Sequence, residues 1–356
     1  TVVTIGDFAF STSTLKILSL GLKVKDMNRS AFLAASCEIY INENNPFFKF
    51  VGDVLYDMGE MSVVAYLGSG EKDSLVIMDG MKSIGTYAFR NAKIDKIYLP
   101  DTVECLKKYA FSYCTMRFLD MSHVKRMESW CLEECSNLQN ICLGELSYLE
   151  RWIGTAIGSC HSVKNVYIEN SINLGRNLIG FDKVQSVIVE NGNSFISGYT
   201  ENVNLKYLIV SDNCKEFSYE YIQQTPNLTK MYLPESITTL SEDGGGGSYD
   251  SKIPYHKTTW CAKSDSAAAK FAQENGYPYQ NIDEHTHKLV STVFYEDEFI
   301  KVTGQYCEEC GYGTDTSYKW KELAKYPKEQ SPTLDPTTAP DADEIVQLDE
   351  EGKDKY

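Results

Sequence analysis

Apolar hexads return through the first two thirds of the chain at a nearly constant spacing, and that spacing restricts the fold more than any single motif. They read IGDFAF at 5, MNRSAF at 27, IGTYAF at 84, LKKYAF at 106 and MESWCL at 127, with weaker copies at 152, 174, 195 and 217. The intervals are 22, 57, 22, 21, 25, 22, 21 and 22 residues. A unit this short cannot bury an apolar face alone, so it must stack on its neighbours, which makes a solenoid.

A second pattern, apolar-x-x-apolar-x-apolar, follows each hexad, as in Ile94-Ile97-Leu99, Met116-Leu119-Met121, Leu138-Ile141-Leu143, Val163-Val166-Ile168 and Val184-Val187-Val189. Its last two positions are two apart and share one face of a strand. Each unit therefore predicts one short parallel strand. In the hexad, Ala9, Ala88 and Ala110 leave room for close approach of neighbouring turns, while Phe10, Phe32, Phe89 and Phe111 fill the core behind them. Cys114, Cys135 and Cys160 each lie three residues past the hexad's last position, where Ala92 stands in another copy. A small buried residue suffices there, so free structural thiols are expected.

The stretch IGTYAFRNAKIDKIYLPDTVECLKKYAFSYC resembles the leucine-rich repeat of BspA-type bacterial surface proteins, and the resemblance runs over about residues 1 to 240. It implies an α/β-type repeat solenoid of about 22 residues per unit, located extracellularly or at the cell surface, with a role in adhesion or host interaction. Residues 46–83 are similar to the hairpin insertion of that family and account for the interval of 57. Residues 256–282 are similar to its closing strand and helix, the latter starting at Ser and Asp and ending at Gly276 and Pro278. The solenoid is thus expected over 1–282. EDGGGGSYDS reads as a flexible loop within it.

A small β-rich module is expected over 283–320. His285 and His287 are two apart and point the same way on a strand. Cys307 and Cys310 form C-x-x-C followed by Gly311. Two nitrogens and two sulfurs suit a closed, tetrahedral, structural zinc site. A Cys307–Cys310 disulfide and a metal-free fold are the alternatives. A redox pair fits less well, because no helix starts after the second cysteine. The segment also resembles His- and Cys-containing modules appended to secreted proteins of Gram-positive bacteria. Residues 321–356, rich in Pro, Thr and acid, read as a solvated linker or tail.

Charge narrows the partners. The net charge is -16, of which residues 322–356 contribute ten acidic against four basic side chains, or -6, leaving -10 on the rest. An acidic body cannot draw its affinity from phosphate counterion release, which argues against nucleic acid. No apolar run reaches the roughly 18 to 20 residues of a membrane-spanning helix. The sequence also shows no signal peptide.

No phosphate-binding loop, H-E-x-x-H or nucleophile elbow is present, so no catalytic residue is assigned. His256 and Cys261 lack an identifiable third partner, and His123 and His161 are isolated. The expected functional surface is the outward face of the strands, carrying Tyr40, Lys96, Tyr98, Phe118, Asp120, Asn140, Asn165, Tyr167, Tyr207, Lys230 and Tyr232. Such aromatics suit an extracellular protein or glycan. The resulting expectation is a non-enzymatic recognition or adhesion protein. A substrate-docking segment of a larger surface enzyme and a plain structural spacer are the competing readings.

Overall fold

Among the described residues two strands per turn build the solenoid, the expected one and a second at the first residue of the hexads at 5, 27, 84, 106, 127, 195 and 217. The computed structural model describes residues 2–11, 16–27, 30–32, 38–42, 44–149, 156–157, 159–171, 183–192, 194–195, 204–218, 225–241 and 258–332. The tetraglycine loop, the chain beyond 332, His256 and the hexad at 174 lie outside these residues. The result is a solenoid of about ten turns.

The first ladder begins with Lys72–Val76, Ile94–Tyr98 and Phe118–Leu119, paired in parallel. The bridge Met121–Leu143 joins it to Asn140–Leu146, Asn165–Ser171, Ser186–Gly192 and Tyr207–Ile209, also parallel. Lys230–Tyr232, Thr259–Ala262 and Tyr279–Asn281 continue the series. Register keeps apolar positions opposite one another, as in Leu75, Ile97 and Leu119 or Val166, Val187 and Leu208. These side chains point inward and are almost completely buried.

The second ladder runs through Ser62–Tyr66, Ser83–Ile84, Cys105–Leu106, Arg126–Met127 and Tyr148–Leu149. It resumes with Ser194–Phe195, Glu216–Ser218 and Thr239–Ser241. This ladder corrects the sequence reading in three places. The antiparallel insertion is confined to Phe48–Val51, Val54–Asp57 and the face of Ser62–Tyr66. Residues 62–76 are themselves a repeat, with Val63 opposite Ile84 and Leu75 opposite Ile97. Leu149, and not Trp152, lies opposite Met127. The interval is then 22, and the three extra residues fall between Leu149 and Ala156. Leu240 opposite Phe217 adds a turn with no recognisable hexad.

Between the ladders the hexads pack as their residue types require. Phe89 and Phe111 stack with centroids 5.1 Å apart, and Tyr66 continues the stack at 5.8 Å. Ala88 and Ala110 are buried, and the Phe89 N–H donates to the Ala110 carbonyl at 2.7 Å. Ala9, in the first described turn, stays exposed. Cys114, Cys135 and Cys160 are buried thiols outside any disulfide; Cys135 and Cys160 each donate to the preceding turn's carbonyl at 3.1 Å. Burial pushes the Cys114 thiol up to about 12, so it is chemically quiet.

The helix Ala267–Glu274 closes the far end. Ser266 caps it by accepting the Ala269 N–H at 3.1 Å, and Ala268, Ala269 and Ala272 face the core. Gly276, with φ of +72°, turns the chain so that Tyr277 stacks on Trp260 at 5.1 Å. Among the described residues, no helix is long and apolar enough to cross a membrane.

Candidate metal centre and the covered repeat face

Past the closing helix, an exposed segment carrying His285 and His287 leads into three antiparallel strands, Val290–Glu296, Ile300–Tyr306 and Gly313–Trp320. The turn between the last two holds Cys307 and Cys310. Gly311 N–H donates to the Cys307 carbonyl at 2.8 Å, folding the loop so that both sulfurs face the histidines. His285 Nε2 lies 3.4 Å from Cys307 Sγ, and His287 Nδ1 lies 3.2 Å from Cys310 Sγ. All four donor atoms fall within 4.8 Å of one another.

Those distances can be compared with a metal's requirement. Zinc–sulfur bonds of about 2.3 Å and zinc–nitrogen bonds of about 2.0 Å at the tetrahedral angle place N and S about 3.5 Å apart. The two histidine–cysteine distances, 3.4 and 3.2 Å, lie close to that spacing. Burial and the neighbouring His285 lower the His287 pKa against the opposing pull of Asp212, favouring the neutral ring that a metal needs. Burial pushes Cys310 up to about 12, so its thiolate requires a cation beside it. The other nitrogen of His285 faces the Glu309 carboxylate at 3.9 Å, the side from which such ligands are commonly oriented. Cys307 and Cys310 are not joined to each other. Cys261 is buried in the same cluster, and burial pushes it up to about 11.

This module does not stand apart from the solenoid. Its inward side chains Phe294, Ile300, Val302 and Tyr306 share one cluster with Cys142, Tyr167, Ile188 and Ile209 of the repeat face. About 40 residues offer too little apolar area for a separate core. The repeat sheet supplies the other half.

The sequence places the aromatic face in solvent, and the structure corrects that. Phe118 is 1% exposed and packs between Phe299 and Trp320, with centroids 5.3 and 5.2 Å away. Tyr167 is equally buried, its ring against Tyr318 at 4.8 Å and its hydroxyl donating to the Thr316 carbonyl at 3.1 Å. Tyr207 meets Phe294 and Tyr306, and Tyr232 meets Tyr312 at 4.9 Å. Asn140 donates to Asp297 at 2.7 Å, and Asn165 is fully buried, accepting from Ser186 at 2.6 Å. Lys230 reaches the Glu309 carbonyl, and Tyr98 donates to the Leu323 carbonyl at 2.6 Å. Lys96 is half-buried near Asp95, and Tyr40 is half-buried on the strand Glu38–Ile41, which pairs in parallel with Ile17–Leu20.

Residues 321–332 also differ from the expected tail. They run back along the sheet as a strap with two short 3-10 turns. Tyr326 donates to the Ile77 carbonyl at 2.6 Å, and Asp79 N–H donates to Ser331 Oγ at 2.9 Å. A cavity of about 770 Å³ opens at the seam, lined by Asp101, Asp120, Glu145 and Glu169 on the repeat side and by Tyr318, Trp320 and Tyr326 on the other. Burial raises the Asp120 carboxyl above its ordinary range. His123 lies at its rim, 3.3 Å from Asp101.

Sequence reasoning missed Arg117, Asp297, Glu298 and Phe299, which join the module to the face. Arg117 grips Asp95 through two bonds of 2.6 and 2.7 Å and also meets Glu298. The available signal was the alternation of Phe294, Ile300, Val302 and Tyr306, an apolar face that a module this small cannot cover by itself.

A family model described as the BspA-type leucine-rich repeat region matches residues 61–179 and 155–244. No curated protein matches the sequence. Among solved structures, the pneumococcal vaccine antigen PcpA is 15% identical with a TM-score of 0.45, over 78% of this chain and 58% of that one. A leucine-rich repeat protein from Eubacterium ventriosum is 17% identical with a TM-score of 0.42, over 70% of this chain and 64% of that one. A leucine-rich cell surface protein from Faecalibacterium prausnitzii is 14% identical with a TM-score of 0.29, over 80% and 84%. The chain therefore spans less than two thirds of the first two.

Proposed function

The chain belongs to the BspA-type leucine-rich-repeat family, and from that premise we propose that it is a non-enzymatic recognition or adhesion protein of a bacterial surface. Its partner would be an extracellular protein or glycan. The observation carrying this reading is that the repeat face already holds a folded protein element through aromatic stacking and charged hydrogen bonds. Such a face is chemically equipped for protein recognition. As long as its own module occupies it, an external partner would engage the rim and seam, and not the bare sheet.

Within this reading, His285, His287, Cys307 and Cys310 would hold one structural zinc ion. The ion would cross-link the segment leaving the solenoid to the turn between the last two strands. Metal binding of this kind contributes on the order of 10 kcal/mol to folding.

Two measurements test these statements. Elemental mass spectrometry of the purified chain should find one zinc per molecule, lost in a His287→Ala, Cys310→Ala variant. Surface plasmon resonance of the full chain against mucin glycans and extracellular-matrix proteins should show saturable binding. A flat response across that panel would favour a spacer.

A further inference from the structure

The metal quartet sits where its occupancy can control whether the repeat face is covered. His285 and His287 lie on the exposed segment that connects solenoid to module, whereas Cys307 and Cys310 lie inside the module. An ion held by all four fixes the angle at which the module leaves the solenoid. Beside this clasp, Gly311 has φ of +81°, and a Cβ there would lie 3.0 Å from the Lys230 carbonyl oxygen. The turn therefore seats directly on the repeat backbone.

At the opposite end, the turn between the module's first two strands enters a notch in the sheet. Asp297 takes the Asn140 amide, Glu298 takes the Arg117 guanidinium, and Phe299 stacks on Phe118. The insert is an acidic-aromatic tip with each side chain matched by a partner of complementary chemistry. Asn140 Oδ1 and Trp320 Nε1 are buried at this contact with no hydrogen-bond partner among the described residues, so the fit is incomplete. Leaving a buried donor or acceptor unpaired weakens the contact that buries it.

We propose that the C-terminal module is a metal-locked lid on the repeat face, and that the Arg117, Phe118 and Asn140 notch beneath it recognises an acidic-aromatic peptide. In the locked state residues 297–299 fill the notch in cis. Once the clasp is released, a protein segment presenting the same acid-acid-aromatic order takes their place. This rests on the recognition role and the zinc assignment proposed above.

Cys142 supplies the readout. Its thiol is fully buried under the lid, on the outward face, while Cys135 and Cys160 are buried in the core between the ladders. Labelling of the full chain with a small maleimide is followed by peptide mapping, before and after zinc chelation and in the His287→Ala, Cys310→Ala variant. Zinc content is measured on the same samples. The expected result is Cys142 labelling at least tenfold faster after release, with Cys135 and Cys160 still protected. A fluorescent peptide, Tyr-Glu-Asp-Glu-Phe-Ile, should bind the released chain and not the locked one, with binding lost in Arg117→Ala. Zinc present but Cys142 protected after its removal overturns the lid and leaves the zinc assignment standing. Absence of zinc overturns the lock and that assignment together. Simultaneous labelling of Cys142, Cys135 and Cys160 means that the repeats unfold, which also overturns the lid. Equal peptide binding to locked and released chains overturns the notch.

Discussion

Phe299, from the turn of the module's first hairpin, stacks on Phe118 of the repeat sheet with ring centroids 5.3 Å apart and 26° between planes. Both are 1% exposed, and each completes an apolar surface that the other's segment leaves open. Truncating Phe299 to Ala removes a fully buried ring and should cost about 3 to 5 kcal/mol. The loss should appear in urea unfolding followed by the fluorine resonance of 5-fluorotryptophan at Trp320, resolved from those of Trp130, Trp152 and Trp260, while the transition of the repeats keeps its midpoint.

Acid should loosen the same contact. The Arg117 hydrogen bonds hold the Asp95 carboxyl below its ordinary value of 3.8, against the opposing effect of burial. A depressed native pKa adds stability that is fully present above the unfolded value and is lost as the pH falls through the native one. Wild-type stability should therefore decline below about pH 3.8 and converge on that of Asp95→Asn. Urea midpoints across the acid range would show it; parallel curves for the two proteins would refute the coupling.

Gly311→Ala tests how closely the cysteine turn seats on the repeats. The added Cβ would stand 3.0 Å from Lys230 O and 3.1 Å from Tyr232 N, at a backbone angle of +81°. Left-handed backbone alone costs a non-glycine residue about 1 to 2 kcal/mol. Zinc affinity measured by chelator competition should fall about tenfold for each 1.4 kcal/mol so introduced.

The hexad predicts its own contrast. Ala110 is fully buried between stacked turns, so Ala110→Val should overpack the core and cost about 1 to 3 kcal/mol. Ala9 holds the same hexad position but is exposed, and Ala9→Val should stay within about 0.5 kcal/mol of wild type. Thermal melts of the two variants would separate them.

Much of this architecture was legible because its information is local. Ile97 faces Leu119 because both sit at the same point of a 22-residue unit, and the unit spacing is written directly in the chain. His285, His287, Cys307 and Cys310 were likewise legible as a quartet from residue type and spacing, and the fold brings their donor atoms together. Val63 and Leu240 were not, although they occupy hexad positions. Ser62–Tyr66 also pairs with the hairpin, and Leu240 lies in a strand next to the closing turns. Those neighbours supply the packing, so the hexad letters are no longer required.

The sequence by itself determined the solenoid, its period, the thiols of its core and the residues of the candidate metal centre, since each is written in residue type and short-range spacing. Only the tertiary structure decided that the outward face is covered. Arg117 and Glu298 are 181 residues apart, and no periodicity relates them. An apolar strand face has the same sequence signature whether solvent, a partner or the chain's own C-terminal module lies against it. What settles the matter is that two incomplete apolar surfaces in one molecule bury each other.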